Sequence, residues 1–201
     1  MDGNSEFPFQ SNFEIPFDLF VRKKSEGLGT PGSLRFTDSK GHLVYRVQPP
    51  IDNSTNWNST RCTKLLTDAS GDTLFSVNRV NKGSWKGFRG NVNSGDTGFI
   101  FKVNRTLDEF SRKEFDIVLV GDHSEGSKTE MKMKGCPFKR SCTIYKGDSI
   151  VAETSLMYKL GIGKAFVPRN RFRVTIFPGF ADHGLIVSLV AIFFDGRKIW
   201  I

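Results

Sequence analysis

Near its C-terminal end the chain runs LIVSLVAIFF from Leu185 to Phe194, ten residues with one polar member, Ser188. No other stretch of the sequence is so apolar. It can be a membrane span, a buried strand or a helix enclosed by protein. Crossing a bilayer takes roughly 20 apolar residues. Counted from Ala181, the run reaches only Phe194 before Asp195, Arg197 and Lys198 close it, so it is too short. A strand of this length without alternation would have to be buried on both faces. A helix fits better. Pro178 and Gly179 precede it, Asp182 can accept hydrogen bonds from its first free N–H groups, and Gly196 follows as a stop. The expected helix is 181–194, with Leu185, Ile186, Leu189, Val190 and Phe193 as core residues. A helix apolar on every side must be enclosed on every side.

The rest of the chain supplies the enclosure. Leu34 to Val47 (LRFTDSKGHLVYRV) and Leu65 to Val77 (LLTDASGDTLFSV) share a frame: Asp38 and Asp68, Gly41 and Gly71, Tyr45 and Phe75. Each reads as a strand, a D-x-x-G turn and a second strand, the Asp bonding its own backbone and the Gly supplying positive φ. FDIVLV (Phe115 to Val120) turns into KTEMKMKG (Lys128 to Gly135). SCTIYKGDSIVAE (Ser141 to Glu153) turns at Gly147, and RFRVTIF (Arg171 to Phe177) alternates with period two. No amphipathic helix is expected before residue 180. Short strands punctuated by turn signals in this way argue for an all-β barrel or sandwich, and a barrel leaves room for the helix. The expected organisation is a mobile tail, 1–14, and one domain, 15–201.

Nineteen Phe against three Tyr and three Trp suit a large dry interior. The net charge of +8 favours phosphate-bearing partners, either nucleic acid or an anionic bilayer. The three cysteines, Cys62, Cys136 and Cys142, have no metal-ligand spacing, and no metal or other cofactor is expected. The N-terminus lacks a basic segment followed by an apolar run, and Asp2 stands where myristoylation needs Gly. The expectation is an unsecreted chain without a transmembrane span, residing in the cytoplasm, on a membrane surface or in the nucleus. The glycosylation-type triplets at Asn53, Asn58 and Asn104 carry no weight in such a chain.

With these residues in view, the chain resembles the plant LURP-one-related family, whose domain has the tubby C-terminal fold shared with phospholipid scramblases. The resemblance rests on the D-x-x-G hairpins, Trp85 in GSWKGFRG, the run from Phe115 to Glu153, and FRVTIFPGFADHGLIVSLVAIFFD. That last stretch is similar to the family's V-x-V-x-P … D-x-A-F-I-x-x-L-V-x-I ending. The resemblance covers roughly Ile15 to Asp195. It implies a closed antiparallel barrel of about twelve strands around a hydrophobic C-terminal helix. It also implies a non-enzymatic regulatory module related to membrane-tethered tubby-type transcription regulators, with a link to plant defence. Where the family tends to have Ala-Phe after the Asp, this chain has His183-Gly184-Leu185. Gly184 is expected to loosen the first helical turn, because Gly is a poor helix former.

Catalytic signals are weak. GLGTPG (Gly27 to Gly32) is a literal G-x-G-x-x-G but runs into a strand, whereas a dinucleotide fingerprint must open a helix. LGIGKAF (Leu160 to Phe166) lacks the P-loop frame. His42, His123 and His183 are scattered, and no Ser or Cys sits in a nucleophile elbow. No catalytic residue is expected. Period two sorts the cations instead: Lys132 and Lys134 oppose Met131 and Met133, and Arg171 and Arg173 oppose Phe172 and Val174. In a filled barrel these point outward, with Lys139, Arg140, Lys146 and Lys164 on turns. Lys132, Lys134, Lys139, Arg140, Lys164, Arg171 and Arg173 are therefore candidates for binding anionic lipid such as phosphoinositide. The alternative is an ordinary solvated exterior. Single-strand nucleic-acid binding is disfavoured, because Phe172 faces away from its neighbouring arginines. Duplex binding by a nucleic-acid-associated regulator stays open. Scramblase-like lipid handling is disfavoured, because the one long apolar segment is needed in the core. Protein partners remain open, and a monomer is expected.

Overall fold

The computed structural model describes residues 15–23, 33–49, 62–90, 98–120, 128–157, 171–180 and 182–195. The expected tail, Lys164, Gly196 and both glycine-rich loops lie outside the described residues, apart from the end of the first loop, where Ser33 leads into a strand as expected. The strands are β1 Phe17–Lys23, β2 Leu34–Thr37, β3 Leu43–Gln48, β4 Cys62–Asp68, β5 Thr73–Asn81 and β6 Ser84–Arg89. They continue as β7 Phe99–Asp108, β8 Lys113–Val120, β9 Lys128–Cys136, β10 Ser141–Lys146, β11 Ser149–Leu156 and β12 Arg171–Ile176, followed by the helix α1 His183–Phe193. A 3-10 turn, Pro137–Lys139, joins β9 to β10. Every strand pairs antiparallel with its neighbours in sequence, and β1 closes on β12 with Phe17 opposite Ile176. The result is the expected closed twelve-stranded barrel.

Both D-x-x-G turns form as read. Asp38 Oδ1 accepts from the N–H groups of Lys40 and His42 at 2.9 and 2.8 Å, and Asp68 Oδ1 from those of Gly71 and Asp72 at 2.8 and 2.9 Å. Gly41 and Gly71 take φ of 89° and 98°, where a Cβ would be strained. Alternation sets the inner face: Leu19 and Val21 on β1, Met131 and Met133 on β9, Phe172, Val174 and Ile176 on β12. Those side chains meet α1, which is buried from Gly184 to Phe193, the five predicted core residues among them. Among the described residues no helix is long and apolar enough to cross a membrane.

Asp182 accepts from the Leu185 N–H at 2.9 Å and has the non-helical backbone of a cap, so α1 begins at His183. Because alternate connections of an antiparallel barrel share an end, the barrel has two distinct rims. The D-x-x-G turns lie at the rim where α1 starts, and Phe17 stacks on His183 there at 4.8 Å. The β7–β8 turn and the 3-10 turn lie at the rim where α1 ends. At that rim Lys64 pairs with Asp195 at 3.0 Å, and Phe194 packs on Phe172 with ring centroids 4.9 Å apart.

Gly184 has a role beyond the one expected. A Cβ there would fall 2.8 Å from Cε2 of Phe75, a buried ring. The residue allows α1 to approach β5, so it also meets a packing requirement. Ser188 is buried, and its hydroxyl finds no hydrogen-bond partner among the described residues.

Two stability outcomes follow from this packing. Leu189→Asp places an unpaired carboxylate in a fully buried position, at a penalty comparable to the whole folding free energy of ~5–15 kcal/mol. Circular dichroism should show loss of cooperative unfolding. A folded variant that had only lost membrane association would instead make α1 an anchor. Gly184→Ala gains up to ~1 kcal/mol of helix propensity but overpacks Phe75 at ~1–3 kcal/mol. Chemical denaturation should show a net loss of about 1 kcal/mol.

Candidate functional site

Since α1 fills the barrel, ligand chemistry is left to the exterior and the rims. On four adjacent strands an arginine points outward close to the rim where α1 ends: Arg171 on β12, Arg22 on β1, Arg35 on β2 and Arg46 on β3. Their register is direct. Arg171 stands opposite Arg22, Arg22 opposite Arg35, and Arg35 opposite Arg46. With strands 4.7–4.9 Å apart, the row spans roughly 14 Å. Arg22, Arg35 and Arg46 are exposed and Arg171 is half-buried. Among the described residues, none of the four has a carboxylate within ion-pair distance. Like charges directly opposite on neighbouring strands are unfavourable. Planar guanidinium forks aligned in this way suit several phosphate groups lying side by side.

The sequence candidates divide around this row. Arg171 belongs to it. Arg173 is exposed one step further from the rim, where its Nη1 is 3.6 Å from Asp18 Oδ2. Lys132 and Lys134 do point outward, but β8 sets Asp116 opposite Lys132 and Glu114 opposite Lys134. The local charge there is balanced. Lys139 is exposed on the 3-10 turn. Arg140 is a correction. It ends that turn in the left-handed conformation (φ 54°), which directs its side chain inward, where it is 5% exposed and lies over the Phe194 ring at 5.3 Å. It therefore supports the helix end and is not part of an open basic face.

Other chemistry is committed elsewhere. Depressions of about 440 and 500 Å³ flank the start of α1, sharing His183 in their walls. The first is also lined by Asp182, Arg89 and Tyr45. Asp182 is used as the helix cap, and His183 is stacked on Phe17. The Cys142 thiol is fully buried, and that burial pushes its pKa well above the usual value, which removes it as a nucleophile. No group of three or more potential metal ligands converges among the described residues.

Comparison with known proteins agrees with this architecture. The family model described as LURP-one-related matches residues 17–195. The chain belongs to the LURP-one-related family. It is similar to Protein LURP-one-related 7 of Arabidopsis thaliana, 42% identical over 198 residues that cover 96% of this chain and 100% of the relative. Protein LURP-one-related 15 of the same plant is 25% identical over 91% of this chain and 81% of its own length. An X-ray structure of an Arabidopsis thaliana protein superposes with a TM-score of 0.59 at 26% identity, covering 88% of each chain.

Arg22, Arg35 and Arg46 escaped the sequence reading of this LURP-one-related chain. Each sits beside an inward residue, Val21, Phe36 or Val47, so period two would have put it outside. What the sequence lacked was the closure of β1 on β12, which brings residue 22 to residue 171. Arg35 has an arginine on either side and tests the repulsion. Arg35→Gln should raise the melting temperature by roughly 1–3 °C at low salt, a gain of ~0.5–1 kcal/mol. In ~1 M salt the gain should vanish as the Debye length falls to ~3 Å. A melting temperature that drops would mean that Arg35 is held by attractive contacts.

Proposed function

We propose that this LURP-one-related chain is a non-catalytic binding module that docks on an anionic, phosphate-bearing membrane surface through its arginine row and acts there as a tethered regulator. The observation that carries the reading is the alignment of Arg171, Arg22, Arg35 and Arg46 without described carboxylate partners. A single phosphate would engage one or two of these side chains. A row of roughly 14 Å matches a surface on which phosphates recur, and polyphosphorylated inositol headgroups concentrate them. Each cation near such a surface contributes about 1 kcal/mol. The row contains no aromatic residue, which favours lipid over a single nucleic-acid strand, whose binding depends on base stacking.

Co-sedimentation with phosphatidylcholine vesicles, with and without a few per cent of phosphatidylinositol bisphosphate, tests the reading at low and physiological salt. Binding should require the phosphoinositide and weaken as salt is added. The triple variant Arg22→Gln/Arg35→Gln/Arg46→Gln should lose roughly 10–100-fold in affinity. Lys132→Glu/Lys134→Glu should bind nearly as the parent does. Loss of binding in the lysine variant but not in the arginine variant would move the site to β9. Binding to duplex DNA in place of vesicles would replace lipid by nucleic acid.

A further inference from the structure

The rim where α1 ends carries two features that the arginine row leaves unexplained. Phe110, at the tip of the β7–β8 turn, is 77% exposed, and Phe138, on the 3-10 turn, is 39% exposed. Their rings lie 6.0 Å apart although they come from separate connections. Exposed single apolar residues are ordinary, but paired rings on two protruding turns form a small apolar projection.

Both turns are braced from beneath. Asp108, at the base of the first, pairs with Arg105 at 2.8 Å and Lys113 at 3.0 Å, and the Glu109 N–H donates to the Arg112 carbonyl. In the second, Pro137 is buried, and the Thr154 hydroxyl donates to the Arg140 carbonyl at 2.8 Å. Phe138 and Lys139 are thus held outward by their neighbours.

The two rims differ in charge. Strand polarity places the arginine row, Lys139 and Arg112 at the same end of the barrel as the two rings, where these cations outnumber Asp108, Glu109 and Asp195. Among the described residues, the turns and strand ends of the opposite rim carry Asp38, Asp68, Asp72, Asp148 and Asp182 against Lys40, Arg89 and Lys146, so that end has no cationic excess. An anionic plane therefore draws the arginine end of the barrel more strongly than the other.

We propose that the barrel docks end-on, with the rim where α1 ends facing an anionic bilayer and with Phe110 and Phe138 entering its headgroup layer. The inference rests on the membrane reading above and adds the orientation and an apolar wedge. Aromatic rings suit the interfacial layer of a bilayer, where apolar surface is covered while neighbouring cations stay among the headgroups. The occupant is a lipid surface and not a soluble polyanion, which would leave the rings in water.

Phe110→Trp tests the geometry in the full chain, with the parent as background for the native tryptophans. On vesicles of phosphatidylcholine with phosphatidylinositol bisphosphate, the added emission should shift to the blue and be quenched by brominated acyl chains. Both changes should exceed whatever the parent's own tryptophans show. The double variant Phe110→Ser/Phe138→Ser alters two turns outside the core, so it should still unfold cooperatively. It should bind these vesicles several-fold more weakly, with an unchanged salt dependence. Salt-sensitive binding without blue shift or quenching, and with the double serine variant intact, would overturn end-on insertion while leaving the membrane reading in place. No binding of the parent to any vesicle would overturn both.

Discussion

The structure depends on one mutual requirement: α1 is apolar on every side, and a twelve-stranded barrel is hollow unless something fills it. Neither part is stable alone. The helix from Gly184 to Phe193 would expose its whole surface to water, and inward residues such as Phe36, Phe101, Ile117 and Met133 would line an empty lumen. Together they form one dry core in which close packing extends to a single glycine hydrogen at Gly184. The requirement also shapes folding. β1 meets β12 across most of the chain, with Phe17 opposite Ile176, and α1 follows β12. Contacts so distant in sequence are slow to form, because the loop-closure entropy is lost before burial compensates for it. Filling and closure are therefore coupled events.

A filled lumen also decides where function can reside. Lipocalin-like barrels bind ligands inside; this one has helix there instead. The β-ladder then acts as a ruler on the exterior. Pairing fixes which outward side chains stand abreast, and it does so across strands far apart in sequence. Arg171 and Arg22 are neighbours only because the barrel closes, while Arg35 joins them through the β1–β2 pairing and Arg46 through the β2–β3 hairpin.

How much was legible in the sequence follows from the range of the interactions involved. The Asp38 and Asp68 turns were readable because their hydrogen bonds span four residues or fewer. The inward and outward faces of β9 and β12 were readable because side chains alternate along any strand. The helix was readable from its apolar run, broken only by Ser188, and from the Asp182 cap. What was not readable required a partner strand. Lys132 and Lys134 read as free outward cations, yet Asp116 and Glu114 arrive opposite them from β8. Arg140 read as a turn cation, but its left-handed backbone turns it under the rim against Phe194. Gly184 read as a weak helical position, and only the nearness of Phe75 explains it.

Charge placement on the exterior bears on why the arginine row exists. On β8 and β9 the outward charges alternate in sign between strands, Glu114 against Lys134 and Asp116 against Lys132, which supports the sheet. Arg173 lies near Asp18, whose other oxygen accepts from the Thr175 hydroxyl at 2.6 Å. A single like-charge pairing occurs where Lys86 stands opposite Lys102, and there Lys86 lies over the Phe99 ring at 5.6 Å, which relieves it. The row on β12, β1, β2 and β3 has no such relief among the described residues. Four aligned cations oppose folding, and nothing in the barrel's own stability calls for them. Sequences specify folds by agreement at every level, and local conflicts mark places that serve something other than folding. An external anion that met all four arginines would remove the conflict, and its binding would add to stability what the free barrel forgoes.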